Sequence, residues 1–305
     1  MPNNDENWSE YWGKEGSAGE VFVNKEGGAN PYLGEFWKGV FHGLTEGAKV
    51  IDLAAGAGSI FSHIPQGHTY QFHAADISAT ALDILKKRLP QTKTHTCPAD
   101  KVPFEDHSFD MVVSQFGIEY AGHQAFIEAA RLVNHGGKLS LLCHCEDGYI
   151  DAKNKKLMEG AQAAIDAKFI PNAKVLSRSL FSSSVVTQKN ALTVFSPVAS
   201  LMAKSVQINP EGVHCHLYFG FRQLVEKHKE YDLSDLIDWL DAMSEDIEHN
   251  LLRLSEMRKA ASSESQITAL CHSLEKEGLI DVTYSKFILP EHEAPLAWQV
   301  EARRG

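Results

Sequence analysis

An open, mainly parallel α/β sheet is the fold expected of this chain, on three observations. The apolar run Val50–Leu53 carries an acid, Asp52, and passes straight into Ala54-Ala55-Gly56-Ala57-Gly58. That pattern is a buried strand feeding a helix through a Gly-x-Gly turn, where bare backbone bends sharply and comes close to a ligand. Tyr70–Ser78 is a second strand ending in an acid, Asp76, roughly 20 residues past the turn and well placed to accept hydrogen bonds from ribose hydroxyls. Asp106–Gln115 and Lys138–His144 then supply a polar turn with a fourth buried strand, and a fifth strand. Open sheets of this kind bind their ligands at the carboxyl ends of the strands.

The remaining elements follow in order. The stretch Ala99-Asp100-Lys101-Val102-Pro103-Phe104 lies between the second and fourth strands. A helix over 124–133 stops at Asn134-His135-Gly136-Gly137, the paired glycines acting as the stop. After residue 145 the periodicity becomes helical. Residues 151–168 and 213–229 read as helices, and Leu233, Leu236, Ile237, Leu240, Met243, Ile247, Leu251 and Leu254 recur at spacings of three and four. Asp235, Asp238, Asp241, Glu245 and Glu248 fall between them, which makes a long amphipathic helix with an acidic outer face. The Ser-, Val- and Ala-rich stretch 177–205 fits neither template cleanly. Two strand candidates, Ile280–Leu289 and Leu296–Ala302, close the chain around a Pro-Glu-His-Glu turn.

Composition narrows the function classes. At 305 residues the chain has room for one core fold plus an insertion or second domain. Forty acidic residues against 29 basic ones leave a net charge of −11, which disfavours nucleic acid as the substrate. Five cysteines suggest no disulfide framework, and the acidic start Met1-Pro2-Asn3-Asn4-Asp5-Glu6 is unlike a secretory signal. No apolar run reads as long enough to span a bilayer, so a cytoplasmic protein without a membrane partner is expected. The third glycine of a nicotinamide fingerprint is missing, since position 61 is Phe61. A bulky side chain there argues against a pyrophosphate over the turn and for a nucleoside without a diphosphate.

Four segments in order resemble the class I S-adenosylmethionine-dependent methyltransferases, in the large small-molecule branch. They are the Asp52-to-Gly58 turn, Ala75-Asp76-Ile77-Ser78, the stretch Ala99 to Asp110, and Ala129-Ala130-Arg131-Leu132-Val133-Asn134-His135-Gly136-Gly137-Lys138-Leu139. The likeness covers residues 48–145 and a return at the C-terminus. It differs mildly at Ala54-Ala55, where the family commonly has Gly-Cys, and alanine keeps the site small. The resemblance implies a Rossmann-like seven-stranded methyltransferase sheet flanked by helices, with a helical insertion between strands five and six. It divides the chain into an N-terminal lid segment over 1–45, a core of 46–145 with 264–305, and a substrate cap over 146–263.

The same resemblance implies S-adenosylmethionine as cofactor and a small-molecule methyl acceptor. Gly56 and Gly58 would let the backbone approach the cofactor, with Asp52 and Ala54 near its amino group. Asp76, with Ile77 behind it, would bind the ribose hydroxyls; its plain alternative is a helix N-terminal acid stabilised by the dipole. Ala99, Asp100 and Lys101 would hold the adenine edge, and Gln115 would line the transfer site. Tyr11 or Trp12 would close over the cofactor, and the other N-terminal aromatics, Trp8, Phe22, Tyr32, Phe36 and Trp37, would pack on the core. Asp106 and Asp110 read as structural.

Methyl transfer needs a base only if the nucleophile arrives protonated. Candidates are Glu119, Tyr120 and His123 after strand four and His144 after strand five, with Glu119 preferred. Cys143-His144-Cys145 and His214-Cys215-His216 lack familiar metal-ligand spacing, so no metal is expected. The run Lys153, Lys155 and Lys156 reads as a solvated helix face, and as the first place to look if the substrate is acidic. Alternatives with the same fold are a methyltransferase for protein or RNA, which the acidic cap helix disfavours, and a non-catalytic nucleoside-binding relative.

Overall fold

The computed structural model describes residues 12–13, 30–64 and 67–305. It divides into two compact units, Met1–Tyr149 with Ala260–Gly305, and Ile150–Lys259. In chain order the first unit holds α1 (Pro31–Phe41), β1 (Lys49–Leu53), α2 (Ser59–Ser62), β2 (Gln71–Asp76), α3 (Ala79–Arg88), β3 (Lys93–Thr96), β4 (Phe109–Gln115), α4 (His123–Leu132) and β5 (Val133–His144). The helices α5 (Tyr149–Asp166), α6 (Phe169–Leu180), α7 (Val185–Ile208), α8 (Val213–Glu226) and α9 (Leu233–Ala260) follow. The chain then returns to the first unit through α10 (Glu264–Lys276), β6 (Leu279–Phe287) and β7 (Ala297–Arg304).

The seven strands form one sheet in the order β3-β2-β1-β4-β5-β7-β6. β1 pairs in parallel with β2 and β4, β2 with β3, and β4 with β5, whereas β7 runs antiparallel to β5 and β6. Strand order reverses between β1 and β4, which opens a crevice at their carboxyl ends. Ile51, Leu53, Val112, Leu139, Leu141 and Val300 form the buried centre of the sheet, packed with Ala129 and Leu132 of α4 and Ile267 and Leu274 of α10. Local signals place the helices. Asn30 accepts from the amides of Tyr32 and Leu33 with Pro31 in the first turn, Ser78 caps α3, and Ser263 with Gln266 forms a capping box on α10. Arg304 on the last strand donates to the carbonyls of Ala130, Val133 and Glu277, and so satisfies acceptors left over where α4 and α10 end.

One local expectation needs correction, and two segments that the sequence left open take a definite form. Gly136 and Gly137 do not stop a helix: α4 ends at Leu132 and β5 begins at Val133, with an irregular register against β4 between Phe109 and Met111. Gly136 takes φ +77°, and a Cβ on Gly137 would lie 2.5 Å from Asn134 Oδ1, so the pair makes a kink within the strand. β3 was not legible as a strand, because Lys-Thr-His-Thr has no apolar alternation. The stretch 177–205 is helical on both sides of a short turn, Phe181–Ser184, and the helix α7 reads over Val185–Ile208 despite Pro197.

β2 and β3 also bring two histidines together. His73 Nδ1 lies 3.1 Å from His95 Nε2 in stacked geometry, between Phe104 and Phe109. Burial, and then the neighbouring His95, lower the His73 pKa to about 4. The folded-state value lies below the ordinary 6.5, so the neutral ring is what the fold accommodates. Its stabilising contribution is full above about pH 6.5, declines as the pH falls toward 4, and is lost below that. Urea midpoints measured between pH 7 and pH 4 should therefore fall, and His73→Phe should flatten that dependence.

The second unit is a helical assembly with its own core. Ala161 and Ala164 of α5, Phe169 and Leu176 of α6, Phe195 and Met202 of α7, Leu217 and Phe221 of α8, and Leu240, Met243 and Ile247 of α9 are buried together. Arg258 donates to Asp151 at 2.7 Å, an ion pair that ties the end of α9 to the start of α5. By length and composition α7 is apolar enough to cross a membrane: an 18-residue window has mean hydropathy 1.3, and 17% of it is buried. This corrects the expectation that no such run exists. Serines, threonine, glutamine and lysines scattered along the segment hide it in a residue-by-residue reading.

Candidate cofactor and active site

The site lies at the carboxyl edge of the sheet in the first unit. Asp52 ends up inside the protein, with Oδ1 buried and without a hydrogen-bond partner. Burial, and then the charge of Asp76, raise its carboxyl well above the ordinary range. After β1 the chain turns through Ala54 at φ +54°, Gly56 at φ +52° and Gly58 at φ +83°. A side chain on Gly58 would meet Leu85 Cγ at 2.8 Å, and one on Gly56 would meet the Trp12 indole at 2.5 Å. Glycine is thus required at both positions by backbone conformation and by space.

Asp76 closes the turn from β2. Its Oδ2 accepts from the Gly56 amide at 2.8 Å and its Oδ1 from the Ser78 amide at 2.8 Å. The carboxylate is thereby held by two backbone amides, one on each oxygen. Ile77 is half-buried beside it. Beyond β3, Ala99 is buried, while Asp100 and Lys101 are exposed on a turn in which the Lys101 amide donates to the Pro98 carbonyl. Gln115 ends β4 with both ends engaged: Trp37 Nε1 donates to its Oε1 at 2.6 Å, and its Nε2 donates to Ser59 Oγ at 3.3 Å.

Ala54 occupies a left-handed position that costs an alanine about 1 kcal/mol or more. Gly117, after β4, packs on it so closely that a Cβ there would lie 2.6 Å from the Ala54 carbonyl oxygen. Gly117→Ala should lower stability by about 1–3 kcal/mol through this overlap, read as a lower urea midpoint with an unchanged slope.

A second feature lies on the neighbouring strand ends. Glu119 is buried in the 3-10 turn Ile118–Ala121, and His144 is buried at the end of β5. Oε1 of Glu119 accepts from the backbone amide of His144 at 2.8 Å and faces its Nδ1 at 2.6 Å. A carboxylate on Nδ1 keeps the proton on that nitrogen and leaves Nε2 as the basic one. The Phe116 and Tyr120 rings flank the imidazole, with centroids 4.9 and 5.7 Å away.

The structure therefore brings Glu119, Tyr120 and His144 together and leaves His123 exposed at the first residue of α4. Tyr11 lies outside the described residues, as do Trp8 and Phe22. Trp12 is buried against the glycine turn with Ala57 and Ala81, Trp37 is fully buried, Phe36 is half-buried, and Tyr32 is exposed. Asp106 pairs with Arg131, while Asp110 accepts from the Lys49 amide and from Asn134. Cys143 and Cys145 are buried in the core, and His214 Nε2 donates to the Asn209 carbonyl oxygen at 3.0 Å. Among the described residues no group of three or more His, Cys, Asp and Glu could hold a metal ion.

Residues 51–141 match a family model described as a methyltransferase domain. Over 108 residues the chain is 34% identical to the ubiquinone/menaquinone biosynthesis C-methyltransferase UbiE of Cupriavidus taiwanensis, covering 33% of this chain and 44% of that protein. Over 105 residues it is 30% identical to an uncharacterized methyltransferase-like protein of Schizosaccharomyces pombe, covering 34% of this chain and 41% of the other. A solved structure described as a possible exported protein from Bordetella parapertussis is similar over 99% of this chain and 79% of that one, at 13% identity and a TM-score of 0.48. The chain spans less than half the length of these two curated relatives. Over residues 51–141 the chain is similar to the class I S-adenosylmethionine-dependent methyltransferases. The cofactor of that family is S-adenosylmethionine.

Three features of the turn suit that cofactor. The orphaned Oδ1 of Asp52 is a buried acceptor whose desolvation an arriving ammonium would offset. Gly56 and Gly58 present backbone without side chains. Asp76 is a buried acid fixed at the end of β2 beside that turn, the residue type that accepts from ribose hydroxyls.

Proposed function

We propose that this protein transfers a methyl group from S-adenosylmethionine to a small-molecule acceptor, with His144 as general base. The observation that carries the reading is the buried Glu119–His144 pair, at 2.6 Å, on the same sheet edge as the glycine turn and Asp76. When bound, the cofactor supplies an electrophilic methyl group on a sulfonium. Asp52 would hold its amino group, Asp76 its ribose, and the turn at Ala99, Asp100 and Lys101 its adenine edge.

The protein's own residues do the rest. Much of the acceleration in such a displacement comes from holding the nucleophile in line with the methyl group. His144 Nε2 takes the proton that an O–H, N–H or activated C–H acceptor loses as the new bond forms. Glu119 is a positioning residue: it holds the Nδ1 proton and offsets the positive charge that develops on the ring. This differs from a role for Glu119 as the direct base: its Oε1 is committed to His144 twice, and its Oε2 is buried without a hydrogen-bond partner.

The similarity to C-methyltransferases of quinone biosynthesis supports a small acceptor and makes carbon the first acceptor atom to try. The test is a screen of phenols, enols, amines and thiols with isotopically labelled S-adenosylmethionine. Label should appear in at least one acceptor and depend on His144. Label in protein or RNA alone, with none in small molecules, would move the reading to a macromolecular substrate.

A further inference from the structure

We propose that the α6–α7 hairpin is a docking surface for an anionic lipid bilayer. Residues 167–210 contain five Lys and Arg and no Asp or Glu, in a chain that carries 40 acidic residues and a net charge of −11. The segment coincides with a structural element: α6, the turn Phe181–Ser184, and α7. Lys174 pairs with Asp241. Lys168, Arg178, Lys189 and Lys204 are exposed and have no ion-pair partner among the described residues.

The apolar side of the element is equally unusual. Ala191, Phe195, Met202 and Val206 of α7 are buried. Val186, Leu201 and Ile208 are 68%, 56% and 86% exposed, and Phe181 at the turn and Val175 on α6 are also exposed. By helical spacing Val186, Lys189, Pro197, Leu201, Lys204 and Ile208 share the side of α7 opposite its buried residues. An exposed helix face that mixes large apolar groups with lysines and lacks acids has the character of an interfacial helix. The lysines meet the headgroup charge while the apolar groups enter the boundary below it.

Charge complementarity selects this occupant. A bilayer rich in anionic headgroups matches a hairpin whose own charged residues are all cationic, four of them without an ion-pair partner among the described residues, whereas the net negative charge of the chain as a whole gives it no such affinity. Anchoring of this kind lays the helix on the surface and does not insert it across the membrane. It is compatible with the cytoplasmic location expected from the sequence, and it modifies the expectation of no membrane partner. The proposal does not depend on methyl transfer.

The test is flotation of the full chain with vesicles of phosphatidylglycerol and phosphatidylcholine, compared with phosphatidylcholine alone. Binding is expected only to the anionic vesicles and should be released by high salt. The double variant Lys189→Ala with Lys204→Ala should bind about thirtyfold more weakly, equivalent to about 1 kcal/mol per lysine at an anionic surface. Val186→Glu with Leu201→Glu should also abolish flotation. These positions are exposed, so the melting curves of both variants should match the parent. If the acidic pair fails to fold, the lysine variant still decides the matter. No flotation with anionic vesicles, or flotation that both variants leave unchanged, would overturn the proposal. So would a dimer that these substitutions disperse in the absence of lipid binding, which would assign the face to a second copy of the chain.

Discussion

Asp76→Ala is expected to weaken S-adenosylmethionine binding by at least about hundredfold. Hydrogen bonds to a charged group contribute roughly 1.5–3 kcal/mol each, and two ribose hydroxyls would be lost together. At about 1.4 kcal/mol per factor of ten, that removes two orders of magnitude or more. The carboxylate also fixes the turn, since its two oxygens hold the amides of Gly56 and Ser78. Asp76→Asn is therefore the sharper variant: it keeps one acceptor for the turn and loses the charge. Calorimetric titration of both variants, with thermal melts alongside, separates lost contacts from a collapsed turn. Binding within threefold of the parent would remove Asp76 from the ribose site.

The second large effect is at His144. Loss of a positioned general base lowers turnover by about 10²–10⁴-fold, and His144→Ala should do so with cofactor affinity unchanged. Glu119→Gln should cost less, about tenfold or more, because the amide oxygen can still accept from the ring but carries no counter-charge. Glu119→Ala is a poorer test: it would strip the buried His144 amide of its partner, a stability cost of about 1–3 kcal/mol. A drop in turnover for both His144→Ala and Glu119→Gln, with the Michaelis constant for the acceptor nearly unchanged, supports base and positioner. Full turnover in His144→Ala would sink both roles.

What could be read from the chain and what could not follows a physical line. The strand β1, the glycine turn and Asp76 were legible because apolar runs, acids and glycines are local signals with fixed spacing. The terminal hairpin was legible for the same reason, although β7 extends to Arg304, where its guanidinium reaches two helix ends. β3 was not, because four polar residues owe their strand conformation to pairing with β2. The Glu119–His144 pair was hidden because 25 residues separate its partners in the chain, and only the pairing of β4 with β5 brings them together. Both residues stood among the candidates, and a carboxylate and a histidine after adjacent strands was the available signal. The seat of Trp12 on Gly56 is likewise a tertiary contact without local trace. In the helical unit, amphipathic periodicity revealed α9 but not α7, whose exposed face mixes lysines, serines and large apolar groups.

The most direct test of the account is a calorimetric titration of the purified chain with S-adenosylmethionine, S-adenosylhomocysteine and NAD in parallel. Micromolar binding of both sulfur nucleosides with no heat from NAD is the expected result, and it would place the cofactor on the glycine turn and Asp76 once the Asp76 variants lose it. Binding of NAD alone, or no binding by any of the three, would contradict it.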